Sequence, residues 1–162
     1  MKTKNVIRVI LADDHAVIRR GIRRILEKGD NIQVIAETES GADAIHLVKE
    51  LKPDVLVLDI EMSDMQGDQV ARELHDMSFP VSILILSAFN NPHFINEIMQ
   101  SGADGYLTKD ETPENIRAAV HHVSQKQNPA ANPVLLLIHA ALLWKLYEVF
   151  DVLRMTTDLN FC

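Results

Sequence analysis

Val6–Asp14 reads V-I-R-V-I-L-A-D-D, and this stretch decides how the rest of the chain is interpreted. It is apolar and rich in β-branched residues apart from Arg8, and it ends in two carboxylates. Such a pattern predicts a buried parallel strand whose polar residues collect where the chain leaves the sheet. Ligands bind beyond the carboxyl ends of the strands in an open parallel sheet, so the end of this strand is a candidate binding site.

Three later segments repeat the same arrangement, an apolar run that ends at a polar residue. Each predicts a further buried strand whose last residue lies at the same edge of the sheet as Asp13 and Asp14. The runs and their terminal residues are Val55–Leu58 with Asp59, Ile83–Leu86 with Ser87, and Gly105–Thr108 with Lys109.

Helical patterns alternate with the predicted strands. Apolar residues recur at helical spacing after each strand, beginning with Ala16–Lys28, and Ile32–Glu37 supplies a further strand. Five such alternations predict a doubly wound, flavodoxin-like α/β fold with a five-stranded parallel sheet in the order 2-1-3-4-5. The first and third strands are neighbours in that order, so Asp13, Asp14 and Asp59 should converge.

The amino-acid composition excludes several classes of protein. The 162 residues are 47% hydrophobic and 24% charged, which is typical of a globular chain, and the net charge of −7 argues against DNA binding through a basic surface. The single cysteine, Cys162, excludes an intrachain disulfide. Arg8 interrupts the N-terminal apolar run, and no run approaches the roughly 20 residues of a membrane span, so we expect a cytoplasmic protein without a membrane partner.

The converging carboxylates favour a cation site. Three carboxylates about 5 Å apart repel one another by roughly 3 kcal/mol per pair at an effective dielectric constant near 20, and a divalent cation removes that repulsion. A small set of oxygen ligands suits Mg²⁺, which is often completed by a phosphate. Lys109 and Ser87 are placed to hold phosphoryl oxygens, and a carboxylate beside the metal can itself be the nucleophile that forms an aspartyl phosphate.

Other interpretations remain open from the residues alone. A single Asp after a strand is more often a helix cap, which explains any one of these residues but not the set. The chain has no dinucleotide, P-loop or serine-hydrolase motif. A Mg²⁺-dependent phosphatase with an aspartyl nucleophile is the enzyme alternative, although Glu61 stands where such enzymes usually carry a second Asp. His15 is expected to face solvent and not to bind a metal.

Several short motifs recur along residues 5–125: Asp13-Asp14, Asp59 followed by Met62, Met65 and Gly67, Leu86-Ser87-Ala88, Gly102-Ala103, Gly105-Tyr106 and Lys109. With this combination of motifs, residues 5–125 resemble the receiver domain of bacterial two-component response regulators. The stretches A-D-D-H and L-T-K-D-E-T-P further resemble the NarL type, whose members usually carry a C-terminal helix-turn-helix domain. The resemblance implies a signal-receiving switch that controls an output, in relatives usually transcription, and that catalyses at most its own phosphorylation and dephosphorylation.

The resemblance also implies roles for individual residues. Asp59 is the expected phosphoacceptor, and it binds Mg²⁺ directly together with Asp14. Asp13 is expected to bind the cation through water, and the backbone carbonyl of Glu61 completes the protein ligands. The implied phosphoryl donor is a histidine kinase or a phosphotransfer protein. A phosphorylation-independent interaction module with the same fold is the alternative.

Three residues of the last two strands have implied roles in recognition and switching. Ser87 and Lys109 are expected to contact the phosphoryl group. Tyr106 is the aromatic residue whose rotamer is expected to follow the movement of Ser87. The switch should therefore act through the strands that end at Ser87 and Lys109.

The C-terminal part of the chain does not continue the pattern. We expect the receiver to span 1–127, followed by a linker over 128–133, N-P-A-A-N-P, and an apolar helical tail over 134–162. The tail lacks a recognition helix, so no direct DNA binding is expected from this chain. It is open to three interpretations: a helix that makes a homodimer, which we favour, an extension packed on the receiver, or a truncated or frame-shifted end.

Overall fold

Five parallel strands form one sheet, as the sequence predicts. The computed structural model of the chain describes residues 6–29 and 31–125, and the predicted linker and helical tail lie outside these residues. The strands are β1 (Ile7–Ala12), β2 (Ile32–Thr38), β3 (Val55–Asp59), β4 (Ser82–Ser87) and β5 (Gly105–Thr108). Their order in the sheet is β2-β1-β3-β4-β5, so the chain reverses direction across the sheet between β1 and β3.

Five helices connect and cover the strands. Side chains at three of their N-termini accept hydrogen bonds from backbone N–H groups, as capping residues do: Ser40 from Asp43, Asn91 from His93 and Thr112 from Asn115. Among the described residues, no helix has the length and apolar character needed to cross a bilayer. The helices are α1 (Ala16–Leu26), α2 (Gly41–Leu51), α3 (Gly67–Asp76), α4 (Pro92–Gln100) and α5 (Pro113–Ser124).

The sheet is buried on both faces, which explains the unbroken apolar runs. Alternate residues of β3 enter opposite layers: Leu56 and Leu58 pack beneath α2 and α3, whereas Val55 and Val57 pack beneath α1 and α5. All four side chains are fully buried. Burying an aliphatic side chain of this size stabilises the fold by about 1.5–3 kcal/mol, so the central strand is a major source of stability.

Arg8, the one charged residue in the first apolar run, forms hydrogen bonds to the end of α2 and to the segment that precedes β3. Its guanidinium donates hydrogen bonds to the backbone carbonyls of Leu51 and Lys52, each over 2.9 Å. These are carbonyls at the C-terminus of α2, where helical partners run out. Its own backbone N–H donates to the carboxylate of Asp54 over 2.7 Å. Arg8 therefore fastens β1 to the helix end that precedes β3.

The strand register brings the polar ends of the strands into line. Ala12 lies opposite Leu58, Asp59 lies opposite Leu86, and Ser87 lies opposite Thr108. The residues that follow these pairs therefore leave the sheet at one edge. Gly67, the first residue of α3, lies against this edge so closely that a Cβ there would stand 2.3 Å from the backbone oxygen of Asp59.

Candidate functional site

The carboxyl edge of the sheet brings together the five side chains that the sequence singles out. Asp13 and Asp14 follow β1, Asp59 ends β3, Ser87 ends β4, and Lys109 follows β5. Asp13 and Asp59 are 2% and 3% exposed, and Ser87 is fully buried. The predicted convergence of these residues is present because neighbouring parallel strands deliver their ends to the same place.

Lys109 joins the two most buried carboxylates. Its Nζ lies 2.8 Å from Oδ2 of Asp13 and 2.8 Å from Oδ2 of Asp59. Burial lowers the pKa of Lys109, but the close contacts with the two carboxylates and their negative charges outweigh burial, and the pKa is raised overall. The backbone N–H of Lys109 donates to the carbonyl of Ser87 over 2.8 Å, which fixes the start of the side chain beside β4. The site therefore contains a positive charge supplied by the protein itself, the ammonium group of Lys109.

The environment disfavours the ionised form of Asp59, whereas it favours the charged form of Lys109. Burial raises the pKa of the Asp59 carboxyl, and the negative charge of Asp13 raises it further. Lys109 and a hydrogen bond from the backbone N–H of Glu61 lower this pKa, but they do not cancel the effect of burial. Additional positive charge at the site would therefore stabilise the ionised form of Asp59.

Two carboxylate oxygens of the site lack well-directed hydrogen bonds. Oδ2 of Asp59 and Oδ1 of Asp14 are buried, and neither accepts a hydrogen bond of good geometry within the described residues. Oδ2 of Asp59 lies 2.8 Å from Lys109 Nζ and Oδ1 of Asp14 lies 2.8 Å from His15 Nδ1, but neither contact has the geometry of a hydrogen bond. Underused carboxylate oxygens in a small cluster are the donor set that a hard divalent cation requires, so the cluster is compatible with Mg²⁺.

Backbone contacts hold Asp13 in position. The backbone N–H of His15 donates to Asp13 Oδ1 over 2.7 Å. The backbone carbonyl of Asp13 accepts from the guanidinium of Arg19, whose charge is in turn near the carboxylate of Glu37 at the end of β2. Asp13 is therefore tied to both α1 and β2, which limits its freedom to turn away from Asp59.

His15 lies closer to the site than the sequence predicts. Its side chain is 58% exposed, as expected, but Nδ1 lies 2.8 Å from Asp14 Oδ1. Asp13, Asp14, His15 and Asp59 each offer one ligand atom, and these atoms lie within 4.8 Å of one another. The available signal was that His15 directly follows the two aspartates.

Ser87 and Tyr106 meet at the loop between β4 and α4. Ser87 Oγ accepts a hydrogen bond from the backbone N–H of Phe89 over 3.2 Å, and the Tyr106 hydroxyl donates to the Phe89 carbonyl over 2.8 Å. Burial raises the pKa of Tyr106, while hydrogen bonding to Ser87 opposes that rise. The Phe89 ring packs edge-on against Phe94 of α4 with centroids 5.3 Å apart. Phe89, which the sequence did not single out, thus links Ser87, Tyr106 and α4.

The chain is similar to a known protein family and to several proteins of that family. Residues 9–121 match the response regulator receiver domain family. The probable transcriptional regulatory protein NarL of Mycobacterium tuberculosis is 38% identical over 114 residues, which cover 70% of this chain and 53% of that protein. The nitrate/nitrite response regulator NarL of Escherichia coli K12 is 32% identical over 130 residues, covering 78% and 60%. The chain spans about half the length of the curated relatives it matches.

Solved structures show the same fold. The signal receiver domain of the putative response regulator NarL from Mycobacterium tuberculosis superposes with a TM-score of 0.73 at 36% identity, over 75% of this chain and 98% of that one. The isolated REC domain of RcsB from Salmonella enterica serovar Typhimurium, solved in the presence of phosphomimetic BeF₃⁻, gives 0.69 at 26% identity, over 75% and 90%.

Proposed function

Since this chain belongs to the response regulator receiver domain family and has a two-component signalling function, we propose that Asp59 is its phosphoacceptor. One observation carries the proposal: Asp59 is a buried carboxylate at the end of the central strand, with an oxygen that receives no well-directed hydrogen bond. A carboxylate in that condition is available as a nucleophile. Lys109, which contacts both Asp59 and Asp13, restricts its orientation.

The proposed transfer is a displacement at phosphorus. A carboxylate oxygen of Asp59 attacks the phosphorus atom, a new O–P bond forms, and the bond from phosphorus to the donor breaks. The leaving group departs with that electron pair. Lys109 and the hydroxyl of Ser87 bind the phosphoryl oxygens, so the charge that builds up on them is met by a cation and a hydrogen-bond donor.

A cation completes the proposed site. Asp14 and Asp59 hold Mg²⁺ directly, Asp13 holds it through water, and the backbone carbonyl of Glu61 is the remaining protein ligand. When bound, Mg²⁺ offsets the repulsion among the carboxylates and the phosphoryl group. The buried, underused oxygens of Asp14 and Asp59 support this ligand set.

The proposed output runs through Ser87 and Tyr106. A phosphoryl group that draws the Ser87 hydroxyl toward Asp59 competes with the hydrogen bond from the Phe89 N–H to Ser87 Oγ. The β4–α4 loop, to which the Tyr106 hydroxyl is bonded, then has two arrangements that the phosphoryl group can bias. The REC domain of RcsB, which was solved in the presence of the phosphomimetic BeF₃⁻, supports beryllofluoride as a probe of this step.

Partners and context belong to the proposal as well. The donor is a histidine kinase or a phosphotransfer protein, and the output is transcription, as the names of the relatives indicate for those proteins. Four further statements stay predictions: the receiver boundary at residue 127, the homodimer, the absence of direct DNA binding and the cytoplasmic location.

Intact-mass spectrometry tests the phosphoacceptor. Acetyl phosphate or phosphoramidate with Mg²⁺ should add one phosphoryl group to the wild-type chain and none to Asp59→Asn. Asp43→Asn, which alters an exposed carboxylate at the start of α2, should label like the wild type. An adduct that persists in Asp59→Asn would contradict the assignment. Release of many phosphates per chain would favour the phosphatase alternative.

A further inference from the structure

His15 occupies a position that folding alone does not explain. It is the residue at the N-cap of α1, yet its side chain caps no backbone N–H group. Ser, Thr, Asp and Asn are the residues that stabilise this position. The imidazole lies instead against the carboxylate cluster, with Nδ1 2.8 Å from Asp14 Oδ1 and 3.5 Å from Asp13 Oδ1.

The shorter of these two separations matches the spacing of neighbouring ligands of one cation. In an octahedral site with bonds of about 2.1 Å, adjacent ligand atoms are about 3.0 Å apart and opposite ones about 4.2 Å apart. Nδ1 of His15 therefore lies at the spacing of an adjacent ligand to Asp14 and somewhat beyond that spacing from Asp13. The side chain is 58% exposed, which leaves water free to fill further positions.

The contact between His15 and Asp14 is not a satisfied hydrogen bond. Asp14 Oδ1 is buried and accepts no hydrogen bond of good geometry among the described residues, although Nδ1 is only 2.8 Å away. Two ligand atoms that lie close without pointing at each other are arranged as they would be around a shared ion.

We propose that His15 is a further ligand of the cation site and that it shifts the preference of this site from Mg²⁺ toward first-row transition-metal dications such as Mn²⁺. Mg²⁺ is bound almost entirely by oxygen, whereas an imidazole nitrogen suits transition metals. The inference rests on the proposed cation site at Asp13, Asp14 and Asp59, and it adds a nitrogen to that oxygen set.

Calorimetric titration of the full chain with Mn²⁺ and with Mg²⁺ tests the proposal. His15→Asn removes the ring but supplies a good N-cap, so α1 is retained. This variant should bind Mn²⁺ about tenfold more weakly, while its Mg²⁺ affinity changes by less than about twofold. His46→Ala, an exposed histidine of α2, should leave both affinities unchanged.

Electron spin echo envelope modulation gives a direct readout. Mn²⁺ bound to the wild-type chain should show nitrogen modulation that changes when histidine is labelled with ¹⁵N, and His15→Asn should abolish this histidine-dependent component. Equal Mn²⁺ affinity in His15→Asn and the wild type, or a histidine-dependent component that survives in the variant, overturns the role of His15. Loss of neither cation in Asp14→Ala is a different result, because it refutes the underlying cation site.

Discussion

Ser40 donates a hydrogen bond from Oγ to Oδ2 of Asp64 over 2.7 Å, and this contact joins the start of α2 to the loop that follows β3. Asp64 also accepts from the backbone N–H groups of Gly41 and Ala42, over 2.9 and 3.1 Å. The Ser40 hydroxyl and these two N–H groups hold the pKa of Asp64 well below its usual range. The loop that carries Glu61 is therefore anchored to a neighbouring helix.

Asp64→Asn should lower the stability at neutral pH by about 1 kcal/mol, the usual worth of a helix cap, because it removes a charge that accepts three hydrogen bonds. A depressed carboxyl pKa contributes stability above the ordinary Asp pKa of about 3.9, and that stability is lost as the pH falls toward the folded value. Urea unfolding at about pH 7 and about pH 2.5 should show the difference shrinking in acid. A difference of the same size at both pH values would contradict a stabilising role for the ionised carboxylate of Asp64.

In the absence of divalent cations, Asp59→Asn should raise the stability of the fold, whereas Asp64→Asn should lower it. Because burial raises the pKa of Asp59, its protonated form favours folding below the ordinary Asp pKa, and that advantage is lost as the pH rises through the folded value. At neutral pH, a neutral side chain should raise stability by on the order of 1 kcal/mol, roughly 4 °C in melting temperature. Lys109 keeps Asp13 as a partner in this variant. A lower melting temperature would show that the ion pair with Asp59 outweighs burial.

Mg²⁺ should stabilise the wild-type chain and should do so less in Asp14→Ala. A cation that binds only the folded state at about 100 times its dissociation constant adds about 2.7 kcal/mol. Thermal unfolding with and without Mg²⁺ measures the shift, and Asp43→Ala serves as a matched loss of one exposed carboxylate. Equal shifts in wild type and Asp14→Ala would remove Asp14 from the ligand set.

Gly67→Ala should be among the most damaging small substitutions. Its Cβ would stand 2.3 Å from the Asp59 carbonyl, so β3 or α3 must shift, at a cost of about 1–3 kcal/mol. Gly21→Ala is the matched control, because a Cβ there meets nothing within 4 Å and alanine favours the helix by about 1 kcal/mol. Chemical unfolding should separate the two variants in sign. Labelling of Asp59 should fall only in Gly67→Ala.

Tyr106→Phe should loosen the β4–α4 loop. The variant loses the hydrogen bond to the Phe89 carbonyl, which is worth about 1 kcal/mol, and keeps the ring. Hydrogen exchange should quicken around Phe89 and remain unchanged in β1 and β3. Beryllofluoride added to the wild type should alter exchange from Ser87 through α4. Failure to do so, with site binding established, would argue against the proposed switch.

The sequence predicted the fold and the meeting of Asp13, Asp59 and Lys109 for the same reason. Apolar runs define buried strands, and strand order then decides which strand ends are neighbours. The sequence did not predict individual side-chain contacts, because these depend on the direction in which each side chain points. The bond of Tyr106 to the Phe89 carbonyl is set by a rotamer and a loop path, neither of which leaves a periodic pattern.

Two further features were not predicted from the sequence. Asp64 lies in the loop between β3 and α3, and its partners at the start of α2 lie more than twenty residues earlier in the chain. The helix predicted over Ala16–Lys28 ends at Leu26, because local periodicity marks a helical face more firmly than its last turn.

The strand order also has a consequence for the order of synthesis. The site draws on residues from both ends of the receiver, Asp13 after the first strand and Lys109 after the last, with Asp59 between them. A nascent chain that has emerged only as far as β4 carries all three aspartates without the lysine that joins them. The complete site can therefore exist only once β5 has been made and added to the sheet, so reactivity at Asp59 would report that the whole unit has finished folding.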